Sequence, residues 1–147
     1  HDSGYSKQQS TRPQTMGYGL ADSPIGQAAW ILEKFYQWMD CDGHPENVAS
    51  RDELLDNVMM YWLPDAGASS ARIYWESFGS TNLDLIELPV GCTLFPKEIF
   101  KTSERWARAR FTNLIHFETM EKGGHFAAFE QPQALVDQIQ RCFRQLR

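Results

Sequence analysis

Apolar residues recur at helical spacing over 24–39, where Ile25, Ala28, Ala29, Leu32, Phe35, Tyr36 and Met39 fall on one face. Ser23 and Pro24 supply an N-cap and a first helical residue whose missing N–H costs nothing there. Trp30 and Trp38 widen the stripe, so this helix is expected to be buried on more than one side. A second helix opens at Ser50-Arg51-Asp52-Glu53, a capping box in which Ser50 and Glu53 each bond the other's backbone. It carries Leu54, Leu55, Val58, Met59, Tyr61 and Trp62 and stops at Pro64. A third helix is expected over 68–78 through Ile73, Tyr74 and Trp75. Upstream, 1–22 is polar. Arg12-Pro13 and Gly17-Tyr18-Gly19 read as turns, and 3–10 has room for a helical turn or two.

The pattern changes near residue 80. An apolar run over 85–94 predicts a mostly buried strand, with Pro89 marking an edge or a bulge. A short helix follows over 103–110, and a second strand over 114–120. Pro132 then opens a helix with Leu135, Val136, Ile139, Cys142, Phe143 and Leu146 on one side. Two strands joined by a helix predict a parallel crossover. Such strands need both faces covered, and two of them do not make an independent sheet. The expected fold is therefore α/β and incomplete: a helical lid over 1–79, then the last two strands of a core over 80–147. The chain opens on His1 without an initiator Met, as expected of a processed product or a part of something longer.

Composition narrows the function classes. The 147 residues suit one ordinary domain, and a net charge of −5 without a basic stripe argues against nucleic acid or an anionic membrane as partner. Arg105, Arg108 and Arg110 read as a solvated helix face. Cys41, Cys92 and Cys142 lack C-x-x-C spacing, which disfavours a disulfide framework or a zinc site and fits a reducing compartment. His1, His44, His116 and His125 show no metal-ligand spacing. No apolar run is long enough to span a bilayer, so the expectation is a soluble, cytoplasmic protein.

The candidate chemistry sits at the end of the second strand, in Gly123-Gly124-His125-Phe126-Ala127-Ala128-Phe129-Glu130. The glycines let the backbone turn sharply, so the imidazole projects from a strand end, a placement that suits a general base because histidine is the side chain whose unperturbed pKa lies near neutrality. The alternative is a loop histidine that only caps the following helix. Glu98 follows the first strand. Ligands and chemistry gather at the carboxyl ends of strands in open α/β sheets, so Glu98 is expected beside His125. A carboxylate there fixes the histidine tautomer and stabilises the imidazolium. The commoner fate of such a Glu is a solvated loop acid.

Three stretches carry a family resemblance: the Gly123–Glu130 run, Asp22-Ser23-Pro24-Ile25-Gly26 with Ala28-Ala29-Trp30-Ile31-Leu32-Glu33-Lys34-Phe35, and Asn57-Val58-Met59-Met60-Tyr61-Trp62. Together they resemble the carboxyl-terminal portion of microsomal-type epoxide hydrolases, over nearly the whole chain. The resemblance implies an α/β-hydrolase fold with a helical lid, and cofactor-free opening of epoxides to vicinal diols. It implies that His125 activates water, that Glu98 is its acidic partner, and that Tyr5 and Tyr74 hydrogen-bond the epoxide oxygen. Without it, Tyr5 reads as a terminal residue and Tyr74 as helix packing, the reading kept for Tyr18, Tyr36 and Tyr61. In that family an aspartate attacks the epoxide to give an ester, which water then hydrolyses.

The chain departs from the family pattern by having no Gly-x-Asp-x-Gly elbow and no His-Gly-x-Pro run; it has no Gly-x-Ser-x-Gly elbow either. The expectation is thus a segment inactive alone, completed by the amino-terminal half of a hydrolase and acting on a small apolar epoxide. Two alternatives stay open. One is another α/β-hydrolase, a dehalogenase or an esterase; the paired tyrosines favour the epoxide. The other is a non-catalytic fragment that binds or self-associates through an unpaired strand edge.

Overall fold

The computed structural model describes residues 3–77, 84–144 and 146–147. In chain order these form α1 (Gly4–Thr11), α2 (Pro13–Asp22), α3 (Pro24–Trp38), a 3-10 turn at Pro45–Asn47, α4 (Arg51–Trp62) and α5 (Gly67–Ser77). Then come β1 (Val90–Leu94), α6 (Glu104–Arg110), β2 (Leu114–Thr119), α7 (Ala127–Glu130) and α8 (Pro132–Arg144). Phe78, the expected end of the third predicted helix, lies outside the described residues. The chain divides into two compact units. One takes residues up to Lys34 and from Ser50 through α5, and the other takes Phe35–Ala49 and the chain from Asp84 onward.

In the first unit, the polar leader is more regular than expected. Gly17, Tyr18 and Gly19 are not a turn but lie inside α2. The reason is packing. A Cβ at Gly17 would stand 2.6 Å from the Cβ of Ala68, so the bare backbone lets α2 lie directly on α5. Gln9, Leu20, Leu54, Val58 and Ala71 are buried in this unit, and Trp30 donates its indole N–H to Gln9 at 3.2 Å. The expected capping box is present at α4: Glu53 N–H donates to the Ser50 hydroxyl at 3.3 Å, and Ser50 N–H donates to the Glu53 carboxylate at 2.8 Å. The Ser50 hydroxyl, and then its N–H, hold the Glu53 carboxyl below the ordinary carboxylate value.

The apolar stripe expected on α3 is rotated. Ile25 is 79% exposed, and Ala29 and Tyr36 also face solvent, while Gln27, Lys34, Phe35 and Trp38 are buried. These four recur at i, i+7, i+8 and i+11, which is still one helical face. Lys34 is covered because its ammonium lies over the rings of Tyr5 and Trp30 and pairs with Glu33, so its aliphatic stem packs while its charge is met. Hydrophobicity alone could not show that.

In the second unit, β1 and β2 pair in parallel, from Val90 opposite Leu114 to Leu94 opposite Thr119. The register slips between Val90 and Gly91, immediately after Pro89, the proline that marks a bulge or an edge. The first strand is shorter and less covered than expected. Regular pairing begins at Val90, Ile86 makes an isolated bridge to Phe111, and Leu85 and Leu88 are exposed. No residue of β1 is fully buried, as follows for a two-stranded sheet whose faces the described helices cover only in part. The last helix shows the same shortfall. Gln138 and Cys142 are buried on α8, with His116 Nε2 2.7 Å from Gln138 Oε1, but Val136, Ile139, Phe143 and Leu146 are exposed. No described helix is long and apolar enough to cross a membrane.

Candidate active site

Beyond β1, the buried Phe95 anchors a tight turn in which Glu98 N–H donates to the Phe95 carbonyl at 3.1 Å. Beyond β2, the chain turns through Gly123, whose φ of +113° lies in the left-handed region. Lys97 bridges to Gly124 as an isolated parallel pair, so the two strand-end loops stay in register past the sheet itself. His125 therefore meets Glu98: Nδ1 lies 2.7 Å from Oε1. Their side chains are 35% and 26% exposed, which leaves water a path to the ring.

The chemistry follows from that contact. An ionised carboxylate only accepts hydrogen bonds, so Nδ1 carries the proton and the Nε2 lone pair is the basic site. Glu98 Oε1 also accepts the Ile99 N–H at 2.6 Å, which fixes the carboxylate as well as the ring. His125 N–H donates to the Trp38 carbonyl at 2.9 Å, and the Trp38 indole meets the imidazole edge-on at 5.2 Å between centroids. The ring is thus held at its backbone, at its side and at Nδ1.

Residues passed over in the sequence complete this scaffold. Asp40 Oδ2 accepts the Gly123 N–H at 3.0 Å, and its Oδ1 pairs with Lys97 Nζ at 2.9 Å. The hydrogen bond from Gly123, and then Lys97, hold the Asp40 carboxyl below its ordinary value of 3.8. A depressed folded pKa contributes stability that is present above the unfolded value and lost as pH falls through the folded one. Asp40→Asn is expected to lower stability at pH 7 and to lose less on acidification below pH 3.8 than the unsubstituted chain. Thermal melts of both proteins across that window decide it, and parallel acid profiles would contradict it. Glu130, buried at 7% exposure, accepts three backbone N–H groups around the same turn. The signal that could have found it was its place in the Gly123–Glu130 run, where an acidic residue sits among apolar ones.

The two tyrosines come together in the first unit. Tyr5 on α1 and Tyr74 on α5, both half-buried, meet edge-to-face with centroids 5.9 Å apart. Lys34 Nζ stands 4.8 Å from the Tyr5 ring centroid. A cation at a ring face is attracted by the ring's negative quadrupole, typically by about 0.5–2 kcal/mol. Among the described residues, no group of three or more His, Cys, Asp or Glu side chains could hold a metal ion.

No protein-family model matches the chain. Individual proteins do. The chain is 55% identical, over its full length, to a Stigmatella aurantiaca protein named as a candidate epoxide hydrolase, of which it covers 34%. It is 40% identical, over 95% of its length, to epoxide hydrolase 1 of Sus scrofa, again covering 34% of that protein. Its structure superposes on juvenile hormone epoxide hydrolase from Bombyx mori with a TM-score of 0.90 at 31% identity, covering 98% of this chain and 40% of that one. The chain spans about a third of the length of the curated relatives it matches.

Proposed function

Because the chain is homologous to epoxide hydrolases and has the fold of a carboxyl-terminal portion of their α/β-hydrolase domain, we propose that the protein it belongs to hydrolyses an epoxide to a vicinal diol. This segment supplies the water-activating pair and two electrophilic tyrosines. The expected lid over 1–79 is corrected in that Phe35–Ala49 belongs to the unit that carries the strands. The unit up to Lys34 and from Ser50 through α5 is thus the lid part, and the other unit the core part. The observation that carries the reading is the 2.7 Å contact between His125 and Glu98, residues 27 apart in sequence, at the ends of two parallel strands.

The reaction has two stages. An aspartate outside this chain attacks an epoxide carbon to give an ester, while the phenols of Tyr5 and Tyr74 donate to the oxygen on which negative charge develops. His125 then takes a proton from water through Nε2. The resulting hydroxide attacks the ester carbonyl, and Glu98 stabilises the imidazolium at Nδ1. The ester breaks as its alkyl oxygen takes the proton back from the His125 imidazolium. The ring-opened oxygen takes the remaining proton of the water by way of the phenols, the aspartate is regenerated as a carboxylate, and the diol leaves. The substrate is a small apolar epoxide. The sequence has no Gly-x-Asp-x-Gly elbow, so the 147-residue chain alone lacks the nucleophile and turns over no epoxide.

Paired phenol donors favour an epoxide over a halide or an ordinary ester, since an alkoxide leaving oxygen needs proton donors and a halide does not. In the complete enzyme, Tyr5→Phe and Tyr74→Phe are each expected to slow ring opening, by about 10²–10³-fold for loss of a well-placed donor. Single-turnover diol formation from an aryl epoxide measures it. Unchanged rates in both variants contradict the assignment.

A second reading rests on the uncovered apolar surface. Leu88, Phe100 and Trp106 are each more than 70% exposed, and such surface favours association with another chain. The complement we propose is the amino-terminal part of the hydrolase, with self-association as the competing outcome.

A further inference from the structure

Glu130 stands out as a buried carboxylate with a specific task. It is 7% exposed, and its partners are backbone amides. Oε2 accepts the N–H of Asp40 at 2.7 Å and of Gly124 at 2.8 Å, and Oε1 accepts the N–H of Phe126 at 2.9 Å. Gly124 and Phe126 are the two chain neighbours of His125. Asp40 lies two residues beyond Trp38, whose carbonyl takes the N–H of His125 itself. One side chain thus fixes the main chain on both sides of the imidazole and the segment it leans on.

Local capping does not explain this pattern. A bond to Phe126, four residues back, would serve the short helix α7, but Gly124 is six residues back and Asp40 is 90 away. Burying an ionised carboxylate is costly unless its lone pairs are met, and here three aligned N–H dipoles meet them. A hydrophobic residue would fill the same volume at no such cost. What the carboxylate adds is direction, because its two oxygens specify where three amides must point.

We propose that Glu130 is a positioning residue for the water-activating step: it sets the backbone from which His125 aims Nδ1 at Glu98. The inference rests on the proposed function for the role of His125, but its test does not use an epoxide. A histidine N–H held by a carboxylate at 2.7 Å gives a strongly downfield proton resonance, which the unsubstituted chain is expected to show. Glu130→Gln keeps the volume but leaves one oxygen for three donors and turns an amide N–H₂ against at least one of them. In E130Q the downfield resonance is expected to vanish, and the amides of Asp40, Gly124 and Phe126 should exchange about tenfold faster or more than in the unsubstituted chain. A downfield resonance that persists unchanged in a folded E130Q protein overturns the role of Glu130 alone. Its absence from the unsubstituted chain overturns the His125–Glu98 pairing and the proposed function with it. If E130Q does not fold, exchange in the unsubstituted chain still decides: the three amides should open together and slowly, and fast independent exchange overturns the proposal.

Discussion

Replacing His125 with Gln in the complete hydrolase is expected to cut steady-state diol release by about 10²–10⁴-fold, while ester formation continues. Glutamine can occupy the space of the imidazole and can hydrogen-bond, but it cannot take a proton from water near neutral pH. In the proposed mechanism ring opening uses a carboxylate and two phenols, none of them His125, so the first step is expected to survive. One equivalent of epoxide should disappear in a burst, and the enzyme should then stall as its own ester. Covalent catalysis separates the two stages, and a variant blind to only one of them tests that separation. A loss of burst and turnover together would place His125 in ring opening instead.

The largest effect on stability is expected at Gly124. A Cβ there would meet the Trp38 carbonyl oxygen well inside van der Waals contact, with Asp40 N at 2.9 Å and Glu130 Oε1 at 3.0 Å. Two of these atoms are backbone and the third is a buried, fully engaged carboxylate, so none can swing aside. Gly124→Ala is therefore expected to destabilise the chain by about 1–3 kcal/mol, the usual range for overpacking, and to part His125 from the Trp38 carbonyl. Chemical denaturation measures the first effect, and exchange of the His125 amide measures the second. An alanine variant as stable as the parent would mean that the turn is looser than its contacts imply.

Gly124 also marks what the sequence could and could not show. The doubled glycine and the acid after the other strand were legible because each rests on local chemistry: backbone freedom and the position of strand ends. Parallel pairing followed from the helix between the strands, and the capping box from four adjacent residues. The support beneath the site was not legible, because it depends on contacts across long separations. Asp40 reaches Gly123 and Glu130 reaches Asp40 over more than 80 residues, and no periodicity encodes that. Gly17 of α2 was misread for the same reason. Its local preference is for a turn, but Ala68, some 50 residues on, needs a bare backbone to pack against. Lys34 was invisible as a buried residue because its partners, the rings of Tyr5 and Trp30, converge on it only in the fold. The rotated stripe of α3 and the exposed face of α8 show the limit of reading burial from apolar spacing. Spacing tells which residues share a face, and what covers that face is decided elsewhere.

The intact-protein mass of the His125→Gln hydrolase after exposure to an aryl epoxide tests most directly whether His125 acts only after the ester has formed. A mass gain of one substrate molecule per active site is expected, persisting after the free epoxide is gone, because the ester forms and no base activates the water that would release it. A variant that loses turnover without gaining mass would contradict that order, since His125 would then be needed before the ester exists rather than to hydrolyse it.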